Sequence, residues 1–477
     1  MRVMVINPPR VDGCTVVREE RFEHRDMGSC YPPLSHLHVA GALEAAGHTV
    51  LLLDANGRNL TLDQVKLEMD TFRPQAVFAR VAFDCQCEDV AVLRHARETH
   101  GALTLTRCKI IAEADAVLDS FLTRFPFINF FLLAEPDAVV VKVLEVHAAG
   151  RPKSETLGAA WLESGTVQRT ALPEPESILD RLPPPAWHLL PSLAPYHTGI
   201  LESPFAVIQT TRGCPFGCEF CAYRRNRIRY HSPETVIAEI RMLHERFGLR
   251  SFLLFDDVVG LDKPRFSRLL DLLIDARLNL TWACCTRADL LTDEDARKMK
   301  AAGCVEVAVG IESGDSEVLA RTRKNITLDQ IREAARICHE QGLLFYAMCI
   351  LGLPGETRDS VRATCRFLRE INPFYTQVCF STPLPNTPNY KWYKENGYLL
   401  TEDWSRYSSL YPEPVVRTEA LTAEDLSSLR RWMYRRLLLR PRWWLSQIRP
   451  LDWRWNVRGA RLLAERIIAL ARRKAVR

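Results

Sequence analysis

No stretch of this 477-residue sequence approaches the roughly 18 consecutive apolar residues that a membrane-spanning helix needs. The first ten residues, MRVMVINPPR, also lack the apolar core and the cleavage site of a secretory signal. Cysteine is not scarce, but its 15 residues are an odd number spread over the whole chain, unlike the dense framework of a small disulfide-bonded protein. We therefore expect a cytoplasmic protein with reduced thiols, some of which can bind metal.

Acidic residues are nearly absent from the end of the chain. Residues 430–477 contain 15 Lys and Arg against two Asp and Glu, together with five of the ten tryptophans. A basic helix that carries tryptophan is typical of membrane-surface segments, and arginine alternating with aromatics also binds nucleic acid. A third interpretation is that this tail packs on the rest of the protein with its arginines in solvent. We place membrane-surface contact ahead of nucleic acid.

Strand and helix patterns alternate over the first 150 residues. Apolar runs predict strands within 1–10 and at 48–54, 76–83, 102–106 and 128–134, with amphipathic helices at 34–46 and 89–101. Such alternation is typical of a parallel sheet with helices on both faces. We expect a doubly wound α/β domain that binds ligands at the carboxyl ends of its strands.

A proline-rich stretch separates this region from a second alternating one. ALPEPESILDRLPPPAWHLLPSLAP, residues 171–195, is typical of a stiff linker. Six further βα-type strands over 205–385 predict a partial (β/α)6 barrel, with its chemistry at the carboxyl ends of the strands. The predicted domains are 1–150, a linker at 151–200, a barrel at 201–385 and a helical, basic region at 386–477.

Three cysteines follow the first strand of this predicted barrel. The segment TRGCPFGCEFCAY places Cys214, Cys218 and Cys221 in a C-x3-C-x2-C spacing, with Gly213 and Gly217 to let the backbone turn tightly. Three thiolates can hold three irons of a 4Fe-4S cluster and leave the fourth iron to another ligand. The alternatives are a zinc site with a distant fourth ligand, or cysteines that only pack.

The cysteine motif at this position resembles the radical S-adenosylmethionine superfamily, and the resemblance covers about 205–385. It implies a 4Fe-4S cluster whose open iron chelates S-adenosylmethionine, and reductive cleavage to a 5′-deoxyadenosyl radical. It also implies an electron donor such as flavodoxin or ferredoxin. It assigns no catalytic residue that touches the substrate.

Further landmarks follow at the ends of the predicted strands. The resemblance implies an aromatic residue before the last cysteine, contacts to the methionine amino and carboxylate groups, contacts to the ribose, and a glycine-rich turn beside the adenine. In this sequence these are Phe220, then Asp256 and Asp257, Arg287, Glu312 and Ser313, and finally Gly352, Gly355 and Glu356.

The first domain and the linker resemble the cobalamin-binding subclass of the same superfamily. INPP, YPPLSHLHVAGALEAAGHTVLLLDAN and DRLPPPAWHLLP carry this resemblance. The subclass includes methyltransferases and the anaerobic cyclase of chlorophyll synthesis. The sequence departs from it by lacking a D-x-H-x-x-G motif. It also has TRCKIIAEADA (106–116) and AEPD (134–137) where the subclass has glycine-containing turns, and side chains there would crowd the cobalamin tail.

These patterns leave several functions open. We expect a cobalamin-dependent radical enzyme that C-methylates a lipid-like or secondary-metabolite substrate. The first alternative is a radical cyclase or rearrangement enzyme with a cofactor-free N-terminal domain. An RNA-modifying radical enzyme is disfavoured, because Cys14, Cys30, Cys85 and Cys87 show no second cysteine triad. A non-catalytic zinc-stabilised protein is the remaining hypothesis.

Overall fold

The computed structural model describes residues 1–19, 23–26, 28–408 and 413–440. Its first sheet has seven strands in the order β4-β1-β5-β6-β7-β8-β9, the first five of them parallel. These five strands are β1 (Arg2–Asn7), β4 (Thr49–Asp54), β5 (Ala76–Arg80), β6 (Leu103–Arg107) and β7 (Phe130–Leu132). Their positions agree with the predicted strands to within a few residues.

Helices cover both faces of this sheet, as the doubly wound prediction requires. In β1, Val3 and Val5 belong to one hydrophobic core and Met4 and Ile6 to another, because successive side chains point to opposite faces. The helices of this region are α1 (Leu34–Ala45), α2 (Leu62–Phe72), α3 (Gln86–Asp89), α4 (Ala91–His100), α5 (Lys109–Ala112), α6 (Asp115–Arg124) and α7 (Pro136–Ala148). Helices α1 and α7 pack together, as do α2 and α4.

Two hairpins add to this plan. A hairpin of β2 (Thr15–Arg18) and β3 (Glu23–Asp26) follows β1. Strands β8 (Ala159–Glu163) and β9 (Thr166–Arg169) extend the sheet in antiparallel fashion, although the sequence analysis places these residues in the linker.

The rest of the proline-rich linker packs against the protein instead of spanning open solvent. The indole of Trp187 is 1% exposed and donates to Glu239 at 2.7 Å. The Ala186 amide donates to the Leu37 carbonyl of α1 at 3.0 Å. Gly41 of α1 allows this approach, since a Cβ there would lie 2.1 Å from the Pro184 carbonyl oxygen.

The second sheet has six parallel strands in chain order, which confirms the partial barrel. They are β10 (Phe205–Ile208), β13 (Ser251–Leu254), β14 (Thr281–Thr286), β15 (Cys304–Glu312), β16 (Leu344–Leu351) and β17 (Tyr375–Phe380). A small antiparallel pair, β11 (Thr211–Arg212) and β12 (Arg229–Tyr230), lies between β10 and the next helix. The helices are α8 (Pro233–Phe247), α9 (Lys263–Ala276), α10 (Asp293–Ala301), α11 (Ser316–Arg321), α12 (Leu328–Glu340) and α13 (Arg358–Ile371).

Two helices, α14 (Pro388–Glu395) and α15 (Ala423–Leu438), follow the barrel. Within the described ranges, no helix has both the length and the apolar character to cross a membrane. Most of the basic segment 430–477, on which the membrane-surface prediction rests, lies outside the described residues.

Candidate functional site

The cysteine loop is held closed at its base by the β11–β12 pair. Gly213 begins the loop at φ +97°, and a Cβ there would lie 2.3 Å from the Arg227 carbonyl oxygen. Across the loop, the Asn226 amide donates to the Cys214 carbonyl at 2.8 Å. The loop therefore needs glycine where its two ends meet.

The three loop thiols are partly exposed and are not gathered around a single metal-sized centre. Across the described part of the chain, the only three-ligand group with donor atoms within 4.8 Å of one another is Asp70, His95 and His100. At least two of the Cys214, Cys218 and Cys221 sulfurs therefore lie more than 4.8 Å apart, whereas tetrahedral zinc with 2.3 Å bonds implies about 3.8 Å between sulfurs. This spacing favours a cluster in which each sulfur binds its own iron.

Burial raises the pKa of all three loop thiols, that of Cys221 to about 12. Without metal these thiols hold their protons, so metal binding releases them. The Lys324 ammonium acts against burial by lowering the Cys218 pKa.

The two carboxylates after β13 have different partners. Asp256, 1% exposed, accepts from the Thr210 hydroxyl at 2.6 Å and from the amides of Thr210 and Thr211 at 2.6 and 2.8 Å. Asp257 accepts from the Gly213 amide at 3.0 Å and is partly exposed. Asp256 therefore holds the turn before the cysteine loop, and Asp257 is the more accessible of the predicted pair.

Arg287, at the end of β14, lies against the cysteine loop. Its guanidinium is 3.6 Å from the centroid of the Phe216 ring and donates to Asp289 at 2.9 and 3.0 Å and to the Lys324 carbonyl at 2.8 Å. Its Nη1 is buried without a protein partner. A buried, unpaired donor beside the thiols is suited to a carboxylate ligand.

Glu312 ends β15 in the left-handed region, at φ +58°. It pairs with the buried Lys324 at 2.5 Å, and Lys324 also donates to the Gly310 carbonyl at 2.6 Å. Ser313 is fully buried, lies 3.2 Å from the Thr364 hydroxyl and accepts from the Asp315 amide at 3.2 Å. Ser313 thus stabilises local structure. Glu312 instead pairs with Lys324, whose ammonium lowers the pKa of Cys218.

The glycine-rich turn after β16 is stabilised from within. Gly352 (φ +89°) donates its amide to the Glu356 carboxylate and accepts at its carbonyl from the Tyr393 hydroxyl. Burial raises the pKa of Glu356 to about 8, and its Oε1 has no protein partner. Gly355 (φ +78°) lies against Arg321.

The segment 219–221, which includes the partly buried Phe220, is fixed by the chain that follows β15. The Glu219 amide donates to the Thr322 carbonyl at 2.9 Å, and Arg323 pairs with the Glu219 carboxylate at 2.8 Å. Sequence reasoning missed Phe216 and Lys324 as neighbours of the loop thiols. Lys324 sits 12 residues after Glu312, and no local spacing indicates that they meet.

A buried carboxylate faces the interior of the barrel. Glu306 lies in register with Ala283 and Leu344, while its neighbour Val307 faces the helices. Glu306 is 7% exposed, its carboxyl has no hydrogen-bond or ion-pair partner among the described residues, and burial raises its pKa to about 8. An unpaired acid at such a depth was not anticipated from the sequence.

The carboxyl edge of the N-terminal sheet is filled by ion pairs. Arg18 and Asp89, both fully buried, pair at 2.6 Å. Arg80 pairs with Glu23 at 3.3 Å, and Arg107 donates to the Leu132 carbonyl of β7 at 2.9 Å.

The two glycine-free turns, at 106–116 and 134–137, contribute to this packing. Cys108 lies 3.2 Å from the Glu23 carboxylate, and the Lys109 ammonium lies 5.6 Å from the Tyr223 ring centroid of the cysteine loop. The Cys108 thiol pKa is raised well above its ordinary value, chiefly by burial.

After β7, Glu135 and Asp137 join the N-terminal domain to the barrel. Arg212 donates to Glu135 and Asp137, both at 2.8 Å, and Arg229 also pairs with Glu135. These contacts place β11 and β12, at the base of the cysteine loop, against the edge of the N-terminal sheet.

Comparison with known proteins shows which enzymes this chain is similar to. The profile of the radical SAM superfamily matches residues 208–368. An uncharacterized methyltransferase of Pyrococcus horikoshii is 28% identical over 93% of both chains. An anaerobic magnesium-protoporphyrin IX monomethyl ester cyclase of Rubrivivax gelatinosus is 25% identical over 92% of this chain and 78% of its own.

The fold is also similar to that of a solved structure. The radical S-adenosylmethionine methyltransferase TsrM of Kitasatospora setae, solved with cobalamin and a [4Fe-4S] cluster, superposes with a TM-score of 0.67 at 17% identity. The match covers 83% of this chain and 78% of TsrM. The two proteins thus share the arrangement of an N-terminal α/β region and a barrel.

Proposed function

Because this chain belongs to the radical S-adenosylmethionine superfamily through residues 208–368, we propose that it is a cobalamin-dependent methyltransferase acting on a small molecule. The observation that carries the proposal is the cysteine loop, whose three thiols are spread wider than one ion needs and lie beside the unpaired Nη1 of Arg287. The methyltransferase name of the Pyrococcus relative, which matches nearly the whole chain, supports the reaction class.

The residues present fit a 4Fe-4S cluster with S-adenosylmethionine. Cys214, Cys218 and Cys221 would hold three irons, and the cluster, when bound, would supply the electron for cleavage of the sulfonium. Arg287 would bind the methionine carboxylate through its free Nη1, and Asp257 the ammonium group.

The other predicted contacts divide into binding and supporting groups. Glu312 is the candidate for the ribose hydroxyls and the Gly352–Gly355 turn for the adenine. Asp256, Ser313 and Glu356 support these groups from behind, because each makes hydrogen bonds within the protein itself.

We propose a small substrate, lipid-like or a secondary metabolite, that enters the barrel, with flavodoxin or ferredoxin as electron donor. The interior offers the Glu306 carboxyl and the Tyr346–Gln377 hydrogen bond as polar groups among apolar walls. Peripheral membrane contact of a cytoplasmic protein through 430–477 remains part of this proposal.

One turn of the N-terminal region bears against a bound cobalamin. The turn after β6, which in the subclass gives the nucleotide tail access to backbone, is filled here by Arg107, Cys108 and Lys109, each with a contact of its own. These side chains would have to move to admit that tail. This observation favours a second candidate function, cyclisation or rearrangement by the radical without cobalamin.

Metal content after anaerobic purification tests both candidates. The protein would be expressed with cobalamin supplied and its cluster reconstituted, and iron and cobalt would be counted per chain. About four irons with one cobalt are expected for the methyltransferase, whereas four irons without cobalt would support the second candidate. Iron content at background, unchanged in Cys214→Ala, would contradict both.

A further inference from the structure

A cluster of metal-ligating side chains lies outside the site described above, where α2 meets α4. Asp70 of α2 accepts at one oxygen, Oδ1, from His95 Nε2 at 3.0 Å and from His100 Nε2 at 2.8 Å. His95 lies in the middle of α4 and His100 at its last residue. It is the only such three-ligand group among the residues that the structure describes.

The distances require little change to accommodate a metal ion. Zinc binds imidazole nitrogen at about 2.0–2.1 Å and carboxylate oxygen at about 2.0–2.2 Å, so neighbouring tetrahedral donors lie about 3.3–3.5 Å apart. The two nitrogens are already 2.8 and 3.0 Å from the carboxylate oxygen. If each nitrogen moved about half an ångström away from the carboxylate oxygen, an ion could therefore bind between the three ligand atoms. A water would complete its coordination.

The ring of His95 is held in a way that suits both the metal-free and the metal-bound imidazole. Its Nδ1 lies 3.1 Å from the Thr99 hydroxyl. A hydroxyl can donate to Nδ1 while Nε2 carries the proton, and it can accept from Nδ1–H once Nε2 binds a metal. The His95 and His100 rings are nearly perpendicular, at 83°, with centroids 5.7 Å apart, so both nitrogens can reach one centre.

Charge and access also favour a cation here. The carboxyl end of α4, which Gly101 caps in the left-handed conformation, carries the negative end of the helix dipole. The side chains of His95, His100 and Asp70 are 18%, 14% and 48% exposed, so an ion can enter from solvent. Two imidazoles with one carboxylate are a donor set for zinc in preference to magnesium or calcium.

We propose that Asp70, His95 and His100 form a zinc-binding site that joins α2 to α4. The ion would replace two hydrogen bonds to one carboxylate oxygen with three metal bonds and would fix the outer layer of the N-terminal domain. The site is independent of the cysteine loop and of the proposed methyl transfer.

Zinc titration of the cluster-loaded full-length protein tests the proposal. The wild type is expected to bind one more zinc per chain than the double variant His95→Gln/His100→Gln. Its thermal unfolding midpoint should rise with zinc, since a ligand that binds only the folded state stabilises it. Iron is counted in parallel, so that zinc taken up by empty cysteines is recognised.

A matched control is available in His188. Its Nε2 pairs with the Glu44 carboxylate at 3.0 Å, and no described third ligand joins the pair. His188→Gln is expected to keep the extra zinc and the thermal shift. The proposal is overturned if the double variant, folded as judged by its zinc-free unfolding midpoint, binds as much zinc as the wild type, or if the wild type gains no stability from zinc.

Discussion

The carboxyl edges of the two parallel sheets differ in how their polar side chains are paired. At the barrel edge, the three loop thiols form no disulfide, and the Arg287 Nη1 is buried without a protein partner. At the N-terminal edge, the guanidiniums of Arg18, Arg80 and Arg107 are each used by the protein itself. One edge leaves its donors ready for ligands, and the other uses its charges to hold itself together.

This difference teaches that topology alone does not decide where a parallel sheet binds ligands. Both edges lie where such folds place their sites. A buried charge without a partner is strongly unfavourable, so a buried edge either receives a ligand or supplies its own counter-charges. At the N-terminal edge, Glu135 and Asp137 receive their counter-charge from Arg212 of the barrel.

The largest effect is expected at the barrel edge from Cys218→Ala. Removing one of three thiolates should lower iron content and bring reductive cleavage of S-adenosylmethionine to background. That is a loss of at least about 10³-fold, within the roughly 10⁶-fold or larger accelerations of enzymes. Iron per chain and 5′-deoxyadenosine formed with dithionite are the measurements.

Cys87→Ala is the matched control, because this cysteine is exposed and lies on the N-terminal domain. It should leave both readouts unchanged. Equal losses in the two variants would mean that cysteine substitution acts through general instability.

At the N-terminal edge, Arg212→Ala is expected to destabilise the fold by about 3–5 kcal/mol. It leaves Glu135 without one of its two arginines and the buried Asp137 without its guanidinium, and breaking a buried pair has an effect of that size. Arg250→Ala removes an arginine that is 68% exposed and 4.0 Å from Glu202, so its effect should stay within about 1 kcal/mol. Similar urea midpoints for both variants would show that the Arg212 pairs do not hold the domains together.

The sequence predicted the plan of both sheets because that plan depends on local patterns. Buried strands such as VMVIN and the C-x3-C-x2-C spacing are read from neighbouring residues. The pairing of Arg18 with Asp89, 71 residues apart, depends on how the β2–β3 hairpin lies over the sheet, which no local pattern encodes. For the same reason, the glycine-free turns indicated crowding at the N-terminal edge but not which side chains would fill it.

The pH dependence of stability that Glu306 causes tests whether water is excluded from the barrel interior. Burial raises its pKa to about 8, so its contribution to stability is present below about pH 4.5 and is lost as pH rises through 8. Between these values the free energy of unfolding should fall, relative to Glu306→Gln, by up to about 1.4 kcal/mol per pH unit. Urea unfolding of both proteins from pH 4.5 to 8 measures this difference, and parallel profiles would place Glu306 in contact with water.

The smallest effect is expected from Arg323→Ala at the cysteine loop. Its partner Glu219 adjoins Phe220, but the Arg323 side chain is 70% exposed, and exposed pairs contribute about 0–1 kcal/mol. The backbone bond from the Glu219 amide to the Thr322 carbonyl at 2.9 Å remains in the variant and keeps the segment in place. Iron content and the rate of S-adenosylmethionine cleavage should therefore change by no more than about fivefold. A loss as large as that of Cys218→Ala would mean that this exposed pair, and not the backbone, positions the loop. The barrel edge would then depend on ion pairs within the protein, as the N-terminal edge does.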